Sequence, residues 1–143
     1  MTINLVKLCV GAETVEDLRD WVKKRVRQSE RDGAGKVHHH VTRMHPRRDA
    51  ELASGGSIYW VIKGNILVRQ RIIGFEKRVG ADQIERTAIL LKPNLILTEA
   101  QPRRAFQGWR YLSSEDAPKD LPRKRGKNPP PELSAQLADL GLL

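Results

Sequence analysis

The chain has 143 residues, 39% of them apolar and 30% charged, a composition that excludes a disordered chain and suffices for one domain with its own core. Lysine and arginine number 26 against 17 acidic residues, a net charge of +9, so a negatively charged partner is expected. One cysteine, Cys9, excludes an intramolecular disulfide, and apolar runs of only a few residues exclude a membrane helix; a soluble, cytoplasmic protein with no membrane partner is expected.

Residues 3–10 alternate and are rich in branched side chains, which predicts a first strand that buries Cys9. With Asn4 and Lys7 and no small-residue cleavage site, this stretch does not read as a signal peptide. Thr14-Val15-Glu16-Asp17 resembles a capping box. Val15, Leu18, Val22 and Val26 then recur at helical spacing beside Trp21, so one stripe of a helix faces the core. The other face carries Arg19, Lys23, Lys24, Arg27 and Arg31, and Asp32-Gly33-Ala34-Gly35 stops the helix. A second strand is expected over 37–44, and Pro46 opens a short helical turn through Leu52.

The clearest local signal is a β-hairpin, residues 57–63 and 66–75 joined by Gly64-Asn65. That register sets Trp60 opposite Arg69 and puts Ile58, Trp60, Ile62, Leu67, Arg69 and Arg71 on one face. Two more strands follow over 86–91 and 95–98, and a last short one over 106–112. Residues 122–131 read as a Pro/Lys/Arg linker, and Leu133, Leu137 and Leu140 mark one side of a short helix over 132–143. The expected fold class is α+β: one basic domain over residues 1–121, a curved mixed or antiparallel sheet closed by helices.

Arginine outnumbers lysine sixteen to ten, which leans toward forked recognition of phosphate or carboxylate. On the hairpin, Arg69 across from Trp60 could stack on the indole for ~0.5–1 kcal/mol and offer a nucleotide a flat surface beside a fixed charge. Trp60 in the core with Arg69 snorkelling past it is the other reading, and the sequence leaves both open. A second cluster, Arg103, Arg104, Gln107, Trp109 and Arg110, alternates arginine with aromatics around Gly108. With Arg43, Arg47 and Arg48 it would form a phosphate-binding rim, while Phe106 and Trp109 also suit ordinary core positions. His38 and His40 share a strand face and His45 follows, but no cysteine pair or HExxH helix completes a metal site, so no cofactor is expected. Phosphate-cradling, dinucleotide and nucleophile-elbow motifs are all missing.

Four stretches carry a family resemblance: Leu5-Val6-Lys7-Leu8-Cys9-Val10-Gly11, Thr42-Arg43-Met44, the segment from Gly55-Gly56-Ser57 to Ile62-Lys63-Gly64, and Phe106-Gln107-Gly108-Trp109-Arg110-Tyr111-Leu112. Over about residues 3–121 the chain resembles a family of small bacterial proteins known as domain of unknown function 1489, which brings no activity with it. A second resemblance, through the hairpin ending in Ile72-Ile73-Gly74, is to PUA-like domains of the ASCH and EVE groups. It implies a curved sheet or pseudo-barrel of a kind that often binds RNA or modified bases, and no catalytic residue.

The expected function is a nucleic-acid-binding module, for RNA or another polyanion, because a strand surface of indoles and guanidiniums suits unstacked bases. Trp60 and Trp109 would stack; Arg69, Arg71, Arg103, Arg104 and Arg110 would hold phosphates, and Arg43, Arg47 and Arg48 would extend the groove. Two alternatives remain beside it. One is a nucleotide- or RNA-processing enzyme using His38, His40 or His45 as bases or metal ligands. The other is an adaptor whose basic tail and leucine helix dock on a protein partner.

Overall fold

A computed structural model of the chain describes residues 2–122. The predicted linker over 122–131, apart from its first residue, and the predicted helix over 132–143 lie outside the described residues. The first strand, β1 (Ile3–Leu8), is followed by α1 (Val15–Arg31). The predicted capping box is present: Asp17 N–H donates to Thr14 Oγ1 at 3.1 Å and Thr14 N–H donates to Asp17 Oδ2 at 3.2 Å. Val15, Leu18 and Val22 are buried, as their spacing requires, and Gly33, at φ 79°, follows the C-cap Asp32.

β2 (His38–Thr42) leads through an exposed loop to a single helical turn, α2 (Asp49–Ala53). The hairpin is β3 (Ser57–Ile62) and β4 (Asn65–Val79). β5 (Glu85–Leu91), β6 (Ile96–Pro102) and β7 (Trp109–Ser113) complete the fold. The result is a seven-stranded mixed sheet with the order β2-β5-β4-β3-β1-β7, in which β6 also pairs with β4. β4 is long enough to serve two partners on one edge: its N-terminal half pairs with β6, its C-terminal half with β5. β1 runs parallel to β3, a pairing that needs the long α1–β2–α2 crossover, and antiparallel to β7. Since β2 and β7 remain as edges, this is an open sheet, not a closed barrel.

One face of the sheet packs against α1 and α2 through Leu5, Leu18, Leu52, Ile58, Trp60 and Leu91. The other buries a smaller cluster, Val6, Tyr59, Val61, Ile66 and Leu112, beneath Phe106 from the segment after β6 and Ala117 from the segment after β7. No helix among the described residues is long and apolar enough to cross a membrane.

Candidate functional site

The hairpin differs from its predicted register, and the difference removes one proposed stacking platform. Its two-residue turn is Lys63-Gly64, with φ of 49° and 80°, not Gly64-Asn65. A bulge at Leu67 adds a residue to β4, so Trp60 pairs with Val68 and Arg69 pairs with Tyr59. A slip of one residue exchanges faces. Trp60 therefore enters the core, 2% exposed, and Arg69 emerges on the opposite side. There its guanidinium forks onto Asp120, Nε and Nη2 each donating at 2.8 Å, while Nη1 donates to Ser57 Oγ at 2.7 Å. Arg69 is thus a clamp that ties the segment after β7 to the hairpin.

The predicted arginines do not share one hollow. Arg71 follows Arg69 on the face of the smaller cluster, and Arg110 lies on that face too, its guanidinium 5.5 Å from the Phe106 ring centre. Arg103 sits beside the hairpin turn, where its N–H donates to the Gly64 carbonyl, and Arg104 and Gln107 are exposed nearby in sequence. Arg43, Arg47 and Arg48 lie instead in the loop between β2 and α2, which docks on the opposite face of β7.

That docking is specific. Trp109 Nε1 donates to the Met44 carbonyl at 2.9 Å, and the Arg48 N–H donates to the Tyr111 hydroxyl at 3.2 Å. Because β7 alternates, Trp109 and Tyr111 share a face and meet edge-on with ring centres 5.0 Å apart. The Arg48 guanidinium stands 5.6 Å from the Tyr111 ring centre and is forked onto Glu51. Met44 is 68% exposed and Tyr111 36%. Arg43 and Arg47 are exposed, and neither makes an ion pair with any described residue. The loop is pinned beneath by His45, whose Nε2–H donates to Asp49 Oδ2 at 2.8 Å and whose Nδ1 meets Thr87 Oγ1 at 2.9 Å. Thr87, His45 and Asp49 form a chain like a nucleophile–base–acid relay. Thr87 is only 2% exposed, however, and its hydroxyl is closed to a substrate.

The histidines part company. No group of three or more His, Cys, Asp or Glu among the described residues is placed to hold a metal ion. His38 Nδ1 meets Gln70 Oε1 at 3.2 Å, and the same oxygen accepts from Trp60 Nε1 at 2.9 Å. An indole N–H only donates, so that Gln70 atom is the oxygen and His38 carries its proton on Nδ1. Gln70 Nε2 donates on to the Lys92 carbonyl at 3.0 Å, which completes a buried network absent from the expected register, where Gln70 and Trp60 fall on opposite faces of the hairpin. His40 packs edge-on against Trp60 at 5.0 Å between centres.

Lys7 was missed as well. It pairs with Trp60 across β3 and with Trp109 across β7, so it stands between the two tryptophans on one face of the sheet. Burial holds its ammonium below the usual lysine range. The available signal was a lone charged residue inside a largely apolar strand.

An open α+β fold that turns a basic and aromatic surface outward is the class that these features define. The chain belongs to the family described as Protein of unknown function (DUF1489), whose model matches residues 5–143. The family pattern therefore continues past residue 121, the expected end of the resemblance, through the C-terminal segment. No curated protein and no solved structure matches the chain.

Proposed function

We propose that the protein binds RNA, or single-stranded nucleic acid more generally, through the surface where the 43–48 loop meets β7. One observation carries the reading: a ladder of Trp109, Tyr111 and Arg48 is flanked by Arg43 and Arg47, both exposed and without acidic partners among the described residues. A partly exposed tyrosine ring supplies a stacking partner for any base, and unpaired guanidiniums supply phosphate contacts. The PUA-like resemblance of the hairpin points toward RNA as the polyanion, by analogy of fold alone. The basic residues Arg123, Lys124, Arg125 and Lys127 beyond the described region would add sequence-blind, salt-sensitive affinity.

Binding of a labelled single-stranded RNA, followed across a salt series, tests the reading. Arg43→Ala with Arg47→Ala is expected to flatten the plot of log K against log salt by about 0.7 per lost phosphate contact, so by about 1.4 for the pair. Tyr111→Ala is expected to cost about 1–3 kcal/mol at fixed salt, and Tyr111→Phe much less. Unchanged affinity and slope in both variants would overturn the assignment.

A further inference from the structure

Lys7, Arg25 and His40 meet at a second place, which the nucleic-acid surface leaves unused. A cavity of about 230 Å³ opens between the end of β1, β2 and the middle of α1. Lys7, Cys9, Trp21, Arg25, His40 and Trp60 line it, together with His38. Two cations reach this wall and no carboxylate does. Neither Lys7 nor Arg25 forms an ion pair among the described residues; Arg25 Nη1 donates to the His39 carbonyl at 3.2 Å and keeps its other donors. His40 Nε2 is buried with no hydrogen-bond partner at all. Arg25 and His40 also line an adjoining crevice of about 560 Å³, so the cavity has a polar mouth.

Two cations on the wall of one cavity, with no carboxylate among the residues that line it, form an arrangement that lacks an anion. We propose that this cavity is an oxyanion pocket for a phosphate or carboxylate group, with Lys7 and Arg25 as its cations and the rings of His40 and Trp60 as its wall. The volume is below the ~300–1,000 Å³ of drug-sized ligand sites, so it suits one such group with few attached atoms. Cys9 contributes a wall and no nucleophile, because burial pushes its thiol up to about 11. The group has two possible sources. One is a free small anion. The other is the terminal phosphate of an RNA held on the neighbouring surface, since Lys7 pairs directly with Trp109; that source alone rests on the function proposed above.

The full-length protein is titrated with inorganic phosphate and, separately, with acetate at constant ionic strength, and the indole N–H and imidazole resonances are followed by NMR. Saturable shifts confined to Trp21, Trp60, His38 and His40 are expected with one or both anions. Lys7→Met and Arg25→Met should each weaken binding at least tenfold, while Lys7→Arg keeps most of it and Lys77→Met, which is paired with Glu85 and does not line the cavity, changes nothing. Arg25 is exposed, so its variant reads the pocket even where Lys7→Met fails to fold. Shifts that never saturate, or that survive Arg25→Met, would overturn the proposal whether or not RNA binds. A second arm compares RNA carrying a terminal phosphate with the same RNA lacking it. A preference that vanishes in the Lys7 and Arg25 variants assigns the pocket to the RNA terminus, and equal affinities beside saturable phosphate binding assign it to a free anion.

Discussion

The imidazoles of His38 and His40 are held far from their ordinary titration. Burial, with the charge on Arg25, brings His38 down to about 4; burial, with the charge on Lys7, brings His40 down to about 3. An imidazole in the unfolded chain titrates near ~6.5. Between that pH and about 4 the unfolded chain takes up protons that the folded one refuses, so stability is complete above ~6.5 and falls as the pH falls. His39 adds in the same sense, lowered by burial and by Arg78. Asp49, Asp82 and Asp120 are held below the usual carboxylate range by their partners, so what they contribute is lost only at lower pH than this window. Urea denaturation at pH 7.5 and pH 5.0 should therefore show a loss of roughly 2 kcal/mol for each of the two buried imidazoles, reduced in His38→Gln. Equal stability at the two pH values would show that these rings are not buried neutral.

At the scale of elements, two backbone positions invite opposite outcomes. Lys63 occupies the first centre of a turn whose two residues both have positive φ, a conformation that costs an ordinary side chain about 1 kcal/mol and that asparagine tolerates. Lys63→Asn should raise stability by roughly 0.5–1 kcal/mol in thermal or urea unfolding. Gly56 lies where α2 is pressed onto β1 and β3. A Cβ there would come within 2.7 Å of the Leu52 carbonyl oxygen and closer still to that of Ile3, and neither backbone group can retreat. Gly56→Ala should cost roughly 2–4 kcal/mol in the same measurement. The hairpin itself was legible from Ser57 onward, because its branched runs and glycine turn are local signals. Its register was not. Leu67 is no different in kind from Ile66, and the bulge exists because Leu67 and Val68 both turn toward the core that α1 and the distant strands provide. That single uncounted residue decided whether Arg69 met an indole or Asp120.

For the molecule as a whole, β1, α1 with its cap, and the order of the strands along the chain could be read from periodicity and turn residues. Their neighbours in the sheet could not. That β1 runs parallel to β3, that β4 is shared between β5 and β6, and that β7 returns to β1 follow from packing between segments far apart in sequence. The division of the arginines between two faces is a result of that topology, and it yields a contrast. Arg69→Ala should lower stability by roughly 1–2 kcal/mol through loss of the Asp120 fork, and leave the salt dependence of RNA binding as it was. An Arg69→Ala protein of normal stability and weakened RNA affinity would return the hairpin face to the binding surface. Lys7, Gln70 and Arg25 escaped notice for the same reason, since each acquires its surroundings only when separate strands and α1 converge.

The pairing of β1 with β7 also has a consequence for biosynthesis. β1 leaves the ribosome ahead of the other described strands, and one of its edges stays bare until residues 109–113 have been made. Translation of the intervening hundred or so residues, at ~5–20 per second, takes about 5–20 s. Through that interval an apolar strand offers its open hydrogen-bonding groups to any neighbouring nascent chain, so faults in synthesis of this protein should appear as aggregation of fragments that stop short of β7.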